Sequence, residues 1–138
     1  KFKLLGDKAK ANAGIQFRTK RIPKHHEVIG YQADMGQNYW GALYDESRRN
    51  KILAKPDEKV LEKLVKHEDW NEYTIRCEGP RVRLWLNGTL TVDYTEADAK
   101  VERSGARILP RMATAALRWI QVTTARRGGV RCRGCRCD

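Results

Sequence analysis

At 138 residues the chain has room for one domain with an ordinary hydrophobic core, so folding requires neither disulfides nor a metal ion. Apolar residues make up 41% and charged residues 33%, which excludes a mainly disordered chain, and no apolar run is long enough to span a bilayer. The net charge of +11 is uneven: residues 1–103 carry 20 Lys and Arg against 16 Asp and Glu, whereas residues 104–138 carry eight Arg against one Asp. Only the tail therefore supports a nucleic-acid partner, and we expect none for the body.

The first clear strand is "AGIQFRTK", in which apolar and polar residues alternate. Ile15 and Phe17 fall on one side, and Gln16 and Arg18 fall on the other. This alternation predicts that Arg18 projects from the sheet face opposite the apolar pair.

Two further strands are predicted, in "EVIGYQADMG" and "NYWGALYD". Gln32 and Asp34 are two residues apart, so they share one face of their strand, while Tyr31 faces the other way, toward the core. Polar side chains on a sheet face must be solvated or must line a site, because burial without partners costs several kcal/mol.

A short helix or helical turn is predicted in "VLEKLVKHEDW", where apolar residues recur at helical spacing. A three-stranded antiparallel meander follows in "WNEYTIRCEGPRVRLWLNGTLTVDYTE", with an Asn-Gly pair suited to a type I′ turn. Many short strands with one helical candidate predict an all-β, two-sheet antiparallel jelly-roll sandwich.

The character of the chain changes after residue 103. "MATAALRWIQV" is compatible with a helix or with a final strand, and the end is rich in Arg, Gly and Cys. "CRGCRC" supplies half of a zinc-site pattern without a second pair, so a disordered end is favoured over a metal site. We therefore divide the chain into a domain over 1–103 and a divergent basic segment over 104–138.

Several blocks of the body resemble the 3-keto-disaccharide hydrolase domain family, which has a concanavalin A-like jelly-roll fold. They are "NAGIQFR", "HHEVIGYQADMG", "YWGALYDESRRN", "DWNEYTIRCEGPRVRLWLNG" and "TVDYTE", in this order. Compared with the family, the chain is expected to begin inside an early strand, so that its N-terminal edge is truncated. Beyond about Gly105 the closing strand and its histidine have no counterpart, which suggests an out-of-frame segment or a genuinely divergent tail.

The resemblance implies a carbohydrate substrate that is already a ketone at sugar C3. The ketone acidifies the C2 hydrogen, so a base removes it, the C1 substituent leaves, and water addition completes a net hydrolysis. Such a reaction needs a base, a group that stabilises the enolate oxygen, and an acid or a divalent metal ion at the leaving group. A non-catalytic, lectin-like carbohydrate-binding module is the alternative, since the same fold serves both. The family also implies a secreted or periplasmic full-length protein, although "KFKLLGDKAK" contains no signal peptide.

The predicted base or metal ligand is Glu27, because neighbouring carboxylates or partial burial would raise its pKa; a surface carboxylate is the alternative. Arg18 would bind sugar hydroxyls or the enolate through its planar guanidinium, or would form an ion pair with Glu27 or Asp34. Asp34 completes the predicted catalytic residues.

Four residues are predicted to bind the substrate. Gln32 lies on the same strand face as Asp34, and the resemblance favours Tyr44 and Arg48 as lining the site. His25 would bind a metal or move protons, although an exposed histidine in a loop is the alternative. The predicted substrate-binding residues are Gln32, Tyr44, Arg48 and His25.

Overall fold

The computed structural model describes residues 1–97, 121–124 and 129–132, the last two ranges as backbone strands. The elements are, in chain order, β1 (Phe2–Leu5), β2 (Asn12–Arg21), β3 (Val28–Gly36), a 3-10 turn (Gln37–Tyr39), β4 (Leu43–Glu46), β5 (Lys51–Ala54), α1 (Glu58–Leu64), β6 (Tyr73–Glu78), β7 (Arg81–Leu86), β8 (Thr89–Thr95), β9 (Gln121–Thr124) and β10 (Gly129–Cys132).

The strands form a five-stranded sheet in the order β5-β4-β3-β2-β9, a three-stranded sheet in the order β6-β7-β8, and a two-stranded sheet of β1 and β10. All described pairings are antiparallel, so the predicted all-β sandwich is confirmed. The predicted meander is also confirmed, and its second turn has positive φ at Asn87 (49°) and Gly88 (82°), as a type I′ turn requires.

The main core lies between the five-stranded and the three-stranded sheet. Phe17, Tyr31 and Leu43 contribute from the first sheet, and Val82 and Leu84 contribute from the second. Each fully buried large side chain of this kind contributes about 1.5–3 kcal/mol to stability. The alternating residues of β2, β3 and β4 therefore point to the opposite face of the five-stranded sheet.

A second core cluster is covered by α1. The helix begins after Asp57, whose side chain accepts a hydrogen bond of 2.8 Å from the backbone N–H of Lys59. Leu61 and Leu64 pack against this cluster, which contains Phe2 and Trp40 among its buried members. The predicted short amphipathic helix is confirmed.

Part of the C-terminal segment forms strands. β9 pairs with β2, and β10 pairs with β1. The end of "MATAALRWIQV" thus belongs to a strand, whereas residues 98–120, 125–128 and 133–138, with Cys135 and Cys137, lie outside the described residues. The out-of-frame hypothesis, the division after residue 103 and the disordered end stay predictions. No helix within the described residues is long and apolar enough to cross a membrane.

Candidate functional site

Polar side chains occupy the face of the five-stranded sheet that is turned away from the core. Gln16 on β2 pairs with Gln32 on β3, and Gln32 pairs with Tyr44 on β4. Asp34 lies two residues beyond Gln32, and Glu46 lies two residues beyond Tyr44, so both share this face. We call Gln16, Gln32, Asp34, Tyr44 and Glu46 the polar cluster. Its first three members are buried.

The backbone of Asp34 is held on both sides. Its N–H donates to Ala42 O at 3.0 Å, and its carbonyl oxygen accepts from Gly41 N at 3.3 Å. The Tyr73 hydroxyl also donates to Asp34 O and accepts from Gly41 N at 2.9 Å. These bonds fix the position of Asp34 relative to both β4 and the second sheet.

The carboxyl group of Asp34 has an unusual environment. The side chain is 3% exposed, and burial raises its pKa to about 7. Gln32 Nε2 donates to Asp34 Oδ1 at 2.5 Å and so acts against this rise, whereas the charge of Glu46 adds to it. A carboxyl group that titrates near neutral pH can take up and release a proton under ordinary conditions.

The pKa values of Glu46 and Tyr44 are also raised. Burial raises the pKa of Glu46, and the nearby carboxylate of Glu27 raises it further. Burial, followed by the charge of Glu46, raises the pKa of Tyr44 above its ordinary value, so its hydroxyl remains a hydrogen-bond donor. The Tyr44 ring meets the Tyr39 ring edge to face, with centroids 6.3 Å apart.

Gln16 carries an unsatisfied acceptor. The side chain is 2% exposed, and its Oε1 has no hydrogen-bond partner among the described residues. Leaving a buried acceptor unpaired costs about 1–3 kcal/mol. A bound hydroxyl group could supply the missing donor, which makes Gln16 a candidate ligand-binding residue.

Arg18 does not belong to the polar cluster, so its predicted orientation is wrong. β2 contains a bulge between Phe17 and Lys20, and Arg18 adopts a positive φ of 50° there. The bulge breaks the alternation on which the prediction depended. Arg18 Nη1 instead donates to Gly79 O at 2.7 Å, in the turn between β6 and β7. No ion pair to Glu27 or Asp34 is present within residues 1–97.

Glu27 precedes β3 at the edge of this face and is only partly buried. Its Oε2 accepts from Ser47 Oγ at 2.7 Å, and this hydrogen bond, assisted by His25 and His26, lowers the pKa of Glu27. The predicted rise in its pKa is therefore wrong. His25 is exposed, stacks on His26 with ring centroids 4.5 Å apart, and accepts a hydrogen bond of 3.2 Å at Nδ1 from the backbone N–H of Glu27.

Arg48 participates in an ionic network on the core side of β4. Its Nε donates to Asp45 at 2.8 Å, and its guanidinium lies 4.9 Å from the Tyr31 ring centroid. Arg49 also contacts Asp45 and donates to Glu96 at 2.6 Å. Because Asp45 alternates with Tyr44 and Glu46, this network is on the other side of the sheet from the polar cluster.

The structure thus brings together three of the seven predicted site residues, Gln32, Asp34 and Tyr44. Glu27 lies at the edge of this face, where its carboxylate acts on Glu46, whereas the contacts described for Arg18, His25 and Arg48 are with residues outside the polar cluster. Two members of the polar cluster, Gln16 and Glu46, were missing from the prediction. The alternation in "AGIQFRTK" already placed Gln16 on a polar face, and the antiparallel register would have placed it beside Gln32.

The described residues include no group of three or more His, Cys, Asp or Glu that could hold a metal ion. The divalent metal considered from the sequence therefore has no identified ligands in residues 1–97. The chemistry of the polar cluster is that of carboxyl, carboxamide and phenol groups.

Comparison with known families identifies the chain. A family model described as a 3-keto-alpha-glucoside-1,2-lyase-like domain matches residues 1–125, and the chain belongs to this family. The resemblance predicted from the sequence is confirmed, and the family description points to 3-keto-glycoside chemistry. A comparison with curated proteins gave no match.

Proposed function

We propose that the protein cleaves 3-keto-glycosides, such as 3-keto-disaccharides, by elimination across C1 and C2, with Asp34 as the base. The observation that carries this proposal is the buried Asp34 carboxyl, whose pKa is raised to about 7 on a polar sheet face. The family description supports the substrate class.

In the first step the Asp34 carboxylate takes the C2 proton, and the electron pair of the C2–H bond forms the enolate of the C3 ketone. The enolate electron pair then forms the C1=C2 double bond and restores the C3 ketone, while the C1–O bond breaks, its electron pair goes to the departing oxygen, and that oxygen takes up a proton from water. Water subsequently adds at C1 while C2 is reprotonated, so the net result is hydrolysis. A base whose pKa is near neutral is suited to removing the C2 proton, and the proton that C2 receives in the second step comes from water.

The other members of the polar cluster provide the remaining functions. The Tyr44 hydroxyl, held protonated, donates to the enolate oxygen. Glu46 acts on Asp34 through its charge, which raises the pKa of the base, and the departing oxygen takes its proton from water. Gln16 Oε1, which lacks a partner among the described residues, accepts a hydrogen bond from a sugar hydroxyl.

The test is to incubate the protein with a 3-keto-disaccharide and with the same disaccharide unoxidised, and to measure the release of monosaccharide. We expect release from the oxidised substrate only, and loss of release in Asp34→Asn. Asp93→Asn is the matched control, because Asp93 is an exposed carboxylate paired with Arg81 on the other sheet. Equal cleavage of both sugars would contradict the elimination, and binding of either sugar without cleavage would favour a lectin-like module.

A further inference from the structure

Gly14 lies directly opposite Asp34 in the pairing of β2 with β3. The Gln32 side chain, which begins two residues away on β3, lies over the Gly14 backbone on its way to the Asp34 carboxyl. A Cβ built on Gly14 would lie 2.6 Å from Gln32 Nε2 and closer still to its Cγ and Cδ. Real Cβ atoms essentially never come so near to another heavy atom, so a side chain at position 14 and this conformation of Gln32 exclude each other.

The backbone of Gly14 does not itself require glycine. Gly30 and Gly36, on β3, have φ values of 150° and 101°, which L-residues with a side chain rarely adopt. Gly14 does not have a positive φ, and residues with a side chain readily adopt its strand conformation. Position 14 therefore requires glycine because the Gln32 side chain occupies the space that a Cβ would fill.

We propose that Gly14 is a positioning residue, because it leaves the space in which the Gln32 side chain extends along its strand and donates a hydrogen bond to Asp34. This inference rests on the proposed function in so far as Asp34 is the base. Gly14 itself touches no reacting atom, and it acts through Gln32.

The expected effect on Asp34 follows from the groups that face it. On β4, Tyr44 lies opposite Gln32 and Glu46 lies opposite Gly30, on the same sheet face as Asp34, and the charge of Glu46 acts on Asp34; the Tyr73 hydroxyl contacts its backbone from β6. Gln32 is the neighbour whose hydrogen bond lowers the pKa of Asp34, since it stabilises the carboxylate. Displacement of Gln32 should therefore raise that pKa, while the charge of Glu46 continues to act in the same direction.

The test is Gly14→Ala, with the Asp34 carboxyl titrated by carbon NMR in the folded protein. The atoms in conflict, Cγ, Cδ and Nε2 of Gln32, all move when that side chain rotates about its χ1 angle, so another rotamer of Gln32 is the expected response of the fold. We expect the Asp34 titration to move upward by about 0.5 to 1 pH unit, the typical value of one hydrogen bond. In an active enzyme the rising limb of the pH profile of kcat/KM should move in the same direction.

Two controls separate this role from a general loss of stability. Gly88→Ala, in the turn between β7 and β8, strains a backbone with a φ of 82° but has open space, so it should lower stability without moving the Asp34 titration. In a Gln32→Ala background, Gly14→Ala should produce no further shift, because the side chain it displaces is gone.

An unchanged or lowered Asp34 titration in Gly14→Ala would overturn the proposal, and so would an equal shift in the Gln32→Ala background. If Gly14→Ala alone fails to fold, the double variant must fold, since the conflict is with Gln32; failure of both variants would also overturn it. The titration requires no turnover. An inactive wild-type protein would therefore refute the proposed function, but the titration of Asp34 in Gly14→Ala would still decide whether Gly14 positions Gln32.

Discussion

The buried carboxyl of Asp34 should make the stability of this protein depend on pH in a characteristic way. Its pKa is about 7 in the folded protein, against an ordinary value of 3.8. Between these values the folded protein retains the proton and the unfolded chain has released it. The unfolded state therefore binds fewer protons, and the Asp34 contribution to the free energy of unfolding falls as pH rises through this range.

The size of this effect follows from the same two values. Each pKa unit corresponds to about 1.36 kcal/mol, so the rise from 3.8 to about 7 costs the folded protein about 4 kcal/mol once the pH exceeds both values. Asp34→Asn removes the ionisable group and keeps a carbonyl oxygen that can accept the hydrogen bond from Gln32. We therefore expect the variant to be inactive and, above about pH 7, more stable than the wild type by as much as about 4 kcal/mol.

Urea unfolding of both proteins at several values between about pH 4 and about pH 8 measures this difference directly. The contributions of all groups that the two proteins share cancel in the difference between their free energies of unfolding, so the pH dependence of that difference reports on Asp34 alone. The advantage of Asp34→Asn should grow as the pH rises and then level off above the folded-state pKa. Parallel stability curves, or an advantage that shrinks with increasing pH, would refute the reasoning.

Three further predictions concern neighbouring residues. Glu46→Gln removes a charge that raises the pKa of Asp34, so the base limb of the pH–rate profile should move to lower pH; an upward shift would contradict this. Asp45→Ala leaves two partly buried arginines without their shared, fully buried carboxylate and should lower the free energy of unfolding by about 3 kcal/mol in urea titrations; a loss below about 1 kcal/mol would contradict this. Gln16→Met removes a buried acceptor that has no partner among the described residues, so thermal unfolding should shift to higher temperature while KM for the 3-keto substrate rises; the opposite pair of changes would assign Gln16 a structural role.

The sequence was sufficient to predict features that depend on local periodicity. The alternation around Tyr31 placed that residue in the core and placed Gln32 and Asp34 together on the opposite face, as the structure has them. The Asn-Gly turn and the helical spacing of Leu61 and Leu64 were sufficient for the same reason, since each pattern lies within one element.

The features that could not be predicted depend on irregular backbone or on distant partners. The bulge at Arg18 turns its guanidinium toward Gly79, which is 61 residues away in the chain. Glu27 has a lowered pKa because of Ser47, 20 residues further on. Alternation and composition carry no information about either contact.

The most direct test of the central claim is to carry out the reaction in heavy water and to measure deuterium at C2 of the released 3-keto sugar. Elimination with Asp34 as the base predicts deuterium at C2 with the wild-type protein, above the level from spontaneous exchange without protein, and loss of this incorporation in Asp34→Asn. Cleavage that leaves the original hydrogen at C2, or incorporation that persists in Asp34→Asn, would contradict the account.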